Sequence, residues 1–209
     1  MRVADHIFKV GGLRAANVYL MEAGEGLVLI DAGMPGSARR VLRFISGIGR
    51  QPEELSDIVL THCDIDHVGG VARLKRATGA RVAIHELDAA VLAGRQRPQK
   101  GGLPLALLYR LLRFQPVVPD SLLRDGDEIA GLRVMHVPGH TAGSIALVRD
   151  DGVVFSGDAL LSDRHGNLKP PDPRLALNAA QAARSAELIR ARHPSLVLTG
   201  HGTPARNGT

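Results

Sequence analysis

The sequence predicts an α/β fold in four layers, two sheets with helices packed outside them. Short apolar strands occur in both halves of the chain, and a few helical periodicities are set between them rather than alternating one for one. Several of these strands also end in loops bearing histidine or aspartate beside glycine. The 209 residues are 44% hydrophobic and 22% charged, enough for a sizeable core, and no break in composition divides them. One domain over residues 1–209 is therefore expected. Tryptophan is absent and aromatics make up 3%, so that core must come from Leu, Val, Ile and Ala.

Along the chain, Ile7 to Val10, Asn17 to Met21 and Leu27 to Ile30 read as strands separated by Gly-rich turns. From Gly36 to Gly49 the period becomes helical, with Val41, Ile45 and Ile48 on one face. A strand over Asp57 to Leu60 precedes a helix from about Asp66 to Thr78, and Arg81 to Ile84 is again a strand. A helix starts at His85. Residues 94–102 are polar, and the apolar stretch 103–114 reads as a short helix ended by Pro116 and Pro119. This insertion, at about 94–120, suits a lid over a partly apolar small-molecule substrate or a contact between two copies of the chain. Leu132 to Val137, Ser144 to Val148 and Val153 to Phe155 are strands, the last two joined by an Asp-Asp-Gly hairpin signal. Asp172-Pro173 is expected to cap a long helix to about Arg192, before a closing strand over Ser195 to Leu198.

The formal net charge is +5, but lysine occurs only at Lys9, Lys75, Lys100 and Lys169, and stacking aromatics are scarce. A nucleic-acid surface is therefore disfavoured. The one cysteine, Cys63, excludes an internal disulfide and suits a reducing compartment. No apolar run reaches spanning length and the first residues lack a signal-peptide pattern, so a cytoplasmic location with no membrane partner is expected.

Chemistry concentrates where strands end. After Ile58-Val59-Leu60 come His62, Asp64, Asp66 and His67; later strands hand over to Pro-Gly-His140-Thr141, Ser-Gly-Asp158 and Thr-Gly-His201-Gly. Residues two apart in an extended segment point the same way, so His62 and Asp64 can share one metal. Asp66 and His67 start a helix, where the turn redirects them toward a second metal, and an aspartate from another strand could bridge the two ions. Such a pair polarises a substrate and makes a nucleophile from water.

These motifs, together with the lead-in NVYLMEAGEGLVLIDAGMPG, resemble the metallo-β-lactamase superfamily across nearly the whole chain. The resemblance implies an αββα sandwich with metals at one edge. It implies His62 and His140 in the first site, Asp66, His67 and His201 in the second, and Asp158 between them. Asp31 matches the family's buried carboxylate behind the ligands, and Thr61 and Thr141 are candidate supporting hydroxyls. The family's second histidine is here Asp64. It can ligate, turn away and leave the first site weak, or act as a base beside a single metal; ligation is expected, because an unpaired carboxylate in a crowded polar site is costly. Oxygen in place of nitrogen moves preference from zinc toward iron or manganese. The expected cofactor is thus two divalent ions of zinc, iron or manganese.

The expected activity is metal-dependent hydrolysis of an ester, thioester or lactone, with Asp66 or Asp64 orienting the nucleophile. Glyoxalase II is the family's thioesterase, but its glutathione-binding extension has no counterpart here, so that substrate is not assigned. Alternatives are a mononuclear iron oxygenase similar to the persulfide dioxygenases, a phosphodiesterase, or a metal-binding protein with a decayed site. Outside the motif, His165 is a candidate for substrate contact, while His6, His85, His136 and His193 read as structural.

Overall fold

The computed structural model describes residues 1–98 and 115–206. The expected helix 103–114, with most of the expected lid, lies outside them. The first sheet runs in chain order as β1 (Arg2–Ala4), β2 (Ile7–Lys9), β3 (Tyr19–Ala23), β4 (Gly26–Ile30), β5 (Leu55–Leu60), β6 (Arg81–His85) and β7 (Ser121–Leu123). Its connections carry α1 (Ala38–Gly47), α2 (Ile65–Val68), α3 (Val71–Thr78) and α4 (Glu86–Leu92). β4, β5, β6 and β7 are parallel, so their C-terminal ends share one edge.

The second sheet is built from β8 (Glu128–Ile129), β9 (Leu132–His136), β10 (Ile145–Val148) and β11 (Val153–Gly157), followed by the small hairpin β12 (Leu161–Ser162) and β13 (Leu168–Lys169). Helix α5 (Ala179–Arg190) then leads to β14 (Leu196–Thr199) and β15 (Ala205–Arg206), giving the order β15-β14-β11-β10-β9-β8. The β11–β14 pair is parallel, which again sends two C-terminal ends to one edge.

Side-chain alternation along the central strands creates the layers. In β4, Leu27 and Leu29 face the helices α1 and α3, while Val28 and Ile30 face the second sheet. In β14, Leu196 and Leu198 enter the space between the sheets, and Val197 packs under α5 with Ala186 and Ile189. Three apolar clusters therefore separate four layers, and the fold is an αββα sandwich. Between the sheets, Tyr19 meets Phe155 edge to face at a centroid distance of 5.6 Å, two of the few aromatics the chain owns.

Two expected helices differ. The one predicted over Asp66 to Thr78 is broken at Gly69-Gly70 into α2 and α3. A Cβ at Gly70 would lie 2.3 Å from the carbonyl oxygen of Ala32, and one at Gly69 would lie 2.2 Å from Pro35 Cδ. The loop after β4 thus passes too close for any side chain, and the chain kinks around it. The helix predicted from Asp172-Pro173 is also split. Asp172 caps only a 3-10 turn, Pro173–Leu175, and α5 starts afresh behind Asn178, whose side chain accepts from Gln181 N–H. Among the described residues, no helix is long and apolar enough to cross a membrane.

Candidate metal centre

The strand ends converge. Asp31 follows β4, the segment from Thr61 to His67 follows β5, Asp158 follows β11 and His201 lies just beyond β14; His140 lies in the β9–β10 connection. Backbone hydrogen bonds tie these loops together: Ile145 N–H donates to Thr61 O (2.9 Å), Ala32 N–H to His67 O (2.6 Å) and Asn17 N–H to Gly200 O (2.7 Å). The first of these joins the two sheets at the edge where the site forms.

Two groups of donor atoms result, His62 with His140 and Asp158, and Asp66 with His67 and His201; within each group the atoms lie within 4.8 Å of one another. Asp158 faces both. Its Oδ2 is 3.5 Å from His140 Nε2 and 3.3 Å from His201 Nε2, and its Oδ1 is 3.4 Å from His67 Nε2. Asp66 Oδ2 is 3.3 Å from His201 Nε2. Asp64 starts α2 as its N-cap residue but does not cap it; its Oδ2 lies 3.0 Å from His140 Nε2 and 3.4 Å from His62 Nε2.

These residues fit metal ions better than a network of hydrogen bonds. Charge-assisted N–H···O contacts close to about 2.8 Å, whereas donors around a tetrahedral ion with bonds of 2.0–2.1 Å stand roughly 3.4 Å apart. Tautomers point the same way. Asp31 accepts from His67 Nδ1 at 2.7 Å and from the Thr61 hydroxyl at 2.9 Å. The hydroxyl has spent its only proton on Asp31, so at 3.0 Å it accepts from His62 Nδ1. In their neutral forms both imidazoles therefore turn an Nε2 lone pair into the centre. His62 Nε2, His67 Nε2 and Asp158 Oδ1 are buried there without a hydrogen-bond partner, a costly arrangement that a cation relieves.

The electrostatics demand positive charge. Burial opposes protonation of His67, but Asp31 and Asp158 outweigh it and hold its pKa well above the ordinary value. Burial also lowers the pKa of His201, yet Asp158 and Asp66 carry it up to about 9. Burial works against ionisation of Asp158 and Asp66, but the neighbouring imidazoles, His67 and His201 chief among them, keep both carboxyls below their usual range. Without a metal the site collects protons instead.

Several supports were not apparent in the sequence. Asp88 of α4 is buried and accepts from Cys63 N–H, Thr141 Oγ1 and Gly143 N–H, each at 2.8 Å, so one carboxylate pins both the β5 loop and the His140 loop. An acid on the same helix face as the buried Leu92 was the available signal. Asn17 Nδ2 and the Tyr19 hydroxyl both donate to Thr199 O, at 2.8 and 2.9 Å, steadying the approach to His201. Gly200 has no room for a side chain: its Cβ would fall 2.2 Å from Asp158 Oδ1. Thr141 thus reaches Asp88 rather than an imidazole. His165 is exposed in the β12–β13 hairpin, where its ring accepts from Arg164 Nε and its N–H donates to Asp163; these contacts do not join it to the centre. His85 caps α4 by accepting from Leu87 N–H, and its ring stacks on His136 at 4.2 Å.

A family model described as the metallo-beta-lactamase superfamily matches residues 11–201. The chain belongs to that superfamily. Relatives within it include a probable metallo-hydrolase, YflN, of Bacillus subtilis, 27% identical with 92% of this chain and 82% of the relative covered. The human acyl-coenzyme A thioesterase MBLAC2 is 30% identical over 89% of this chain and 72% of its own. Among solved structures, TTHA1623 in a di-iron-bound form superposes with a TM-score of 0.75 at 32% identity, covering 96% of this chain and 95% of that one. Divalent metal binding and metal-dependent hydrolysis are the classes of property these superfamily relatives support for this chain.

Proposed function

We propose that this superfamily member is a binuclear hydrolase of acyl thioesters, coenzyme A thioesters among them. The observation that carries the binuclear reading is Asp158, whose two carboxylate oxygens lie within 3.5 Å of imidazole nitrogens from both donor groups. His62, Asp64, His140 and Asp158 would hold one ion and Asp66, His67, His201 and Asp158 the other. Bound there, divalent ions would polarise a carbonyl oxygen and lower the pKa of a water.

The chain's own residues supply the rest. Asp66 stays ionised and is 22% exposed at its side chain, so it can accept a proton from the attacking water and orient it. Asp31 orients His67 directly and His62 through Thr61, so both rings already aim Nε2 at the centre and an entering ion has only protons to displace. Asp64 adds a second carboxylate to the first group, which favours iron or manganese over zinc; the di-iron form of TTHA1623 is a similar structure that holds iron. A small apolar recess lined by Leu87, Val91 and Leu177 beside Asp64 and Thr141 suits the start of an acyl chain.

The test is release of free thiol from an acyl-coenzyme A and from a short N-acetylcysteamine thioester, measured on metal-stripped and metal-reloaded protein. Thiol release that returns with about two metals per chain is expected. No turnover of either thioester at metal saturation would overturn the reading.

A further inference from the structure

The chain's other arginines are often neutralised: Arg50 pairs with Glu54, Arg81 with Asp57, Arg124 with Glu86 and Arg149 with Asp151. One place differs. Arg14, in the loop between β2 and β3, and Arg39, Arg40 and Arg43 of α1 line a cleft of about 680 Å³. None of the four has a carboxylate partner among the described residues, where the one hydrogen bond from their guanidinium groups is Arg43 Nε donating to Arg39 O. Two of them occupy the first turn of α1, which contains no acid. A helix favours carboxylates there, so this placement costs stability. The Arg40 guanidinium also lies against Gly12, where a Cβ would sit 2.4 Å from Nη1, so the loop backbone leaves space for it. Four unneutralised cations from two elements, held at an electrostatic cost around one concavity, point to an anionic ligand.

The walls of the cleft are tied to the loops that carry the metal centre on both sides. Its wall residue Pro35 abuts Gly69, two residues beyond His67, and the same loop donates from Ala32 N–H to His67 O. Its other wall, from Gly12 to Arg14, runs on to Asn17, whose N–H is bonded to Gly200 O beside His201. The cleft is open to solvent, so a ligand's phosphates can sit against the arginines while the rest of it extends beyond. No aromatic side chain lines it, so the stacking platform that single-stranded nucleic acid uses is missing.

We infer that Arg14, Arg39, Arg40 and Arg43 bind the phosphates of the thiol carrier while its thioester lies at the metal centre, so that the substrate class is acyl thioesters of a phosphorylated carrier. The inference rests on the thioesterase reading for its purpose, but the binding site can be tested without turnover.

The experiment combines calorimetric titration with coenzyme A and with adenosine 3′,5′-bisphosphate and steady-state hydrolysis of the two thioesters. The variants are Arg39→Gln, Arg40→Gln and the double substitution, with Arg184→Gln on α5 as control. These exposed side chains make no ion pair, and an unchanged melting temperature checks folding. Each cleft substitution should weaken bisphosphate binding about tenfold and raise KM for the coenzyme A thioester by a similar factor. The double variant should lower the preference for that thioester over the short one about a hundredfold, through KM rather than kcat, and Arg184→Gln should leave it in place. If neither thioester is hydrolysed but the bisphosphate binds with this arginine dependence, the thioesterase reading fails and the anion site stands. Thioester turnover with no bisphosphate binding, or a preference untouched by the double variant, would overturn the inference. So would a single-stranded oligonucleotide that binds the same arginines more tightly than coenzyme A.

Discussion

Asp31 Oδ2 accepts from His67 Nδ1 at 2.7 Å, and Asp31 reaches that position in the left-handed backbone region, with φ +63°. A β4 strand ending in that conformation turns its carboxylate back beneath the β5 loop, where it also takes the Thr61 amide at 2.8 Å. Asparagine tolerates this backbone and keeps the shape while removing the charge. Asp31→Asn should therefore fold, and should bind metal about tenfold more weakly. Competition against a chromogenic chelator measures it; unchanged affinity would mean that Asp31 only shapes the loop.

Asp88 ties two loops of the site to α4. Replacing it by alanine removes the buried acceptor that the Cys63 and Gly143 amides and the Thr141 hydroxyl share. Asp88→Ala should cost about 3 kcal/mol of stability, read from the denaturant midpoint. It should also loosen metal at the His62–His140 group.

Asp64 sets the metal preference if it ligates. Protein purified without added metal should contain mainly iron or manganese, and Asp64→His should shift it toward zinc. Elemental analysis of both proteins decides. About one metal per chain, rising to two in the variant, would show that Asp64 leaves its site weak.

Metal and protons compete for the same nitrogens. With its pKa near 9 in the metal-free chain, His201 is protonated at neutral pH, so an incoming ion must expel that proton. Apparent metal affinity should fall on acidification and level off once the pH passes about 9. Calorimetric titration in buffers of different ionisation enthalpy should register net proton release near pH 7. In the metal-free chain the raised pKa contributes stability that is complete below 6.5 and is lost as pH rises through about 9.

Local pattern was enough to expose the strand ends and their chemistry. His62 and His67 lie within one short run, while the turns bearing His140, Asp158 and His201 each follow an apolar strand beside a glycine; such short-range regularities survive in the sequence. The four-layer order was legible too, because alternating apolar residues in β4 and β14 require cover on both faces. Helix boundaries were less so. Nothing local to Gly69-Gly70 or Asp172 reports that Pro35 and Ala32 crowd the first, or that Asn178 caps α5 in place of the second.

Tertiary structure decided which side chains support the centre. Asp88 acts across 25, 53 and 55 residues of sequence, and Arg14 meets the arginines of α1 only because the β2–β3 loop folds over that helix. The sequence by itself determined the inventory of candidate metal-binding side chains and the strands that deliver them, since both are written in short motifs and in the period of neighbouring residues. Their hydrogen-bonded tautomers and the unneutralised cleft arise from contacts between distant segments, whose pairing exists only once the two sheets have closed on each other.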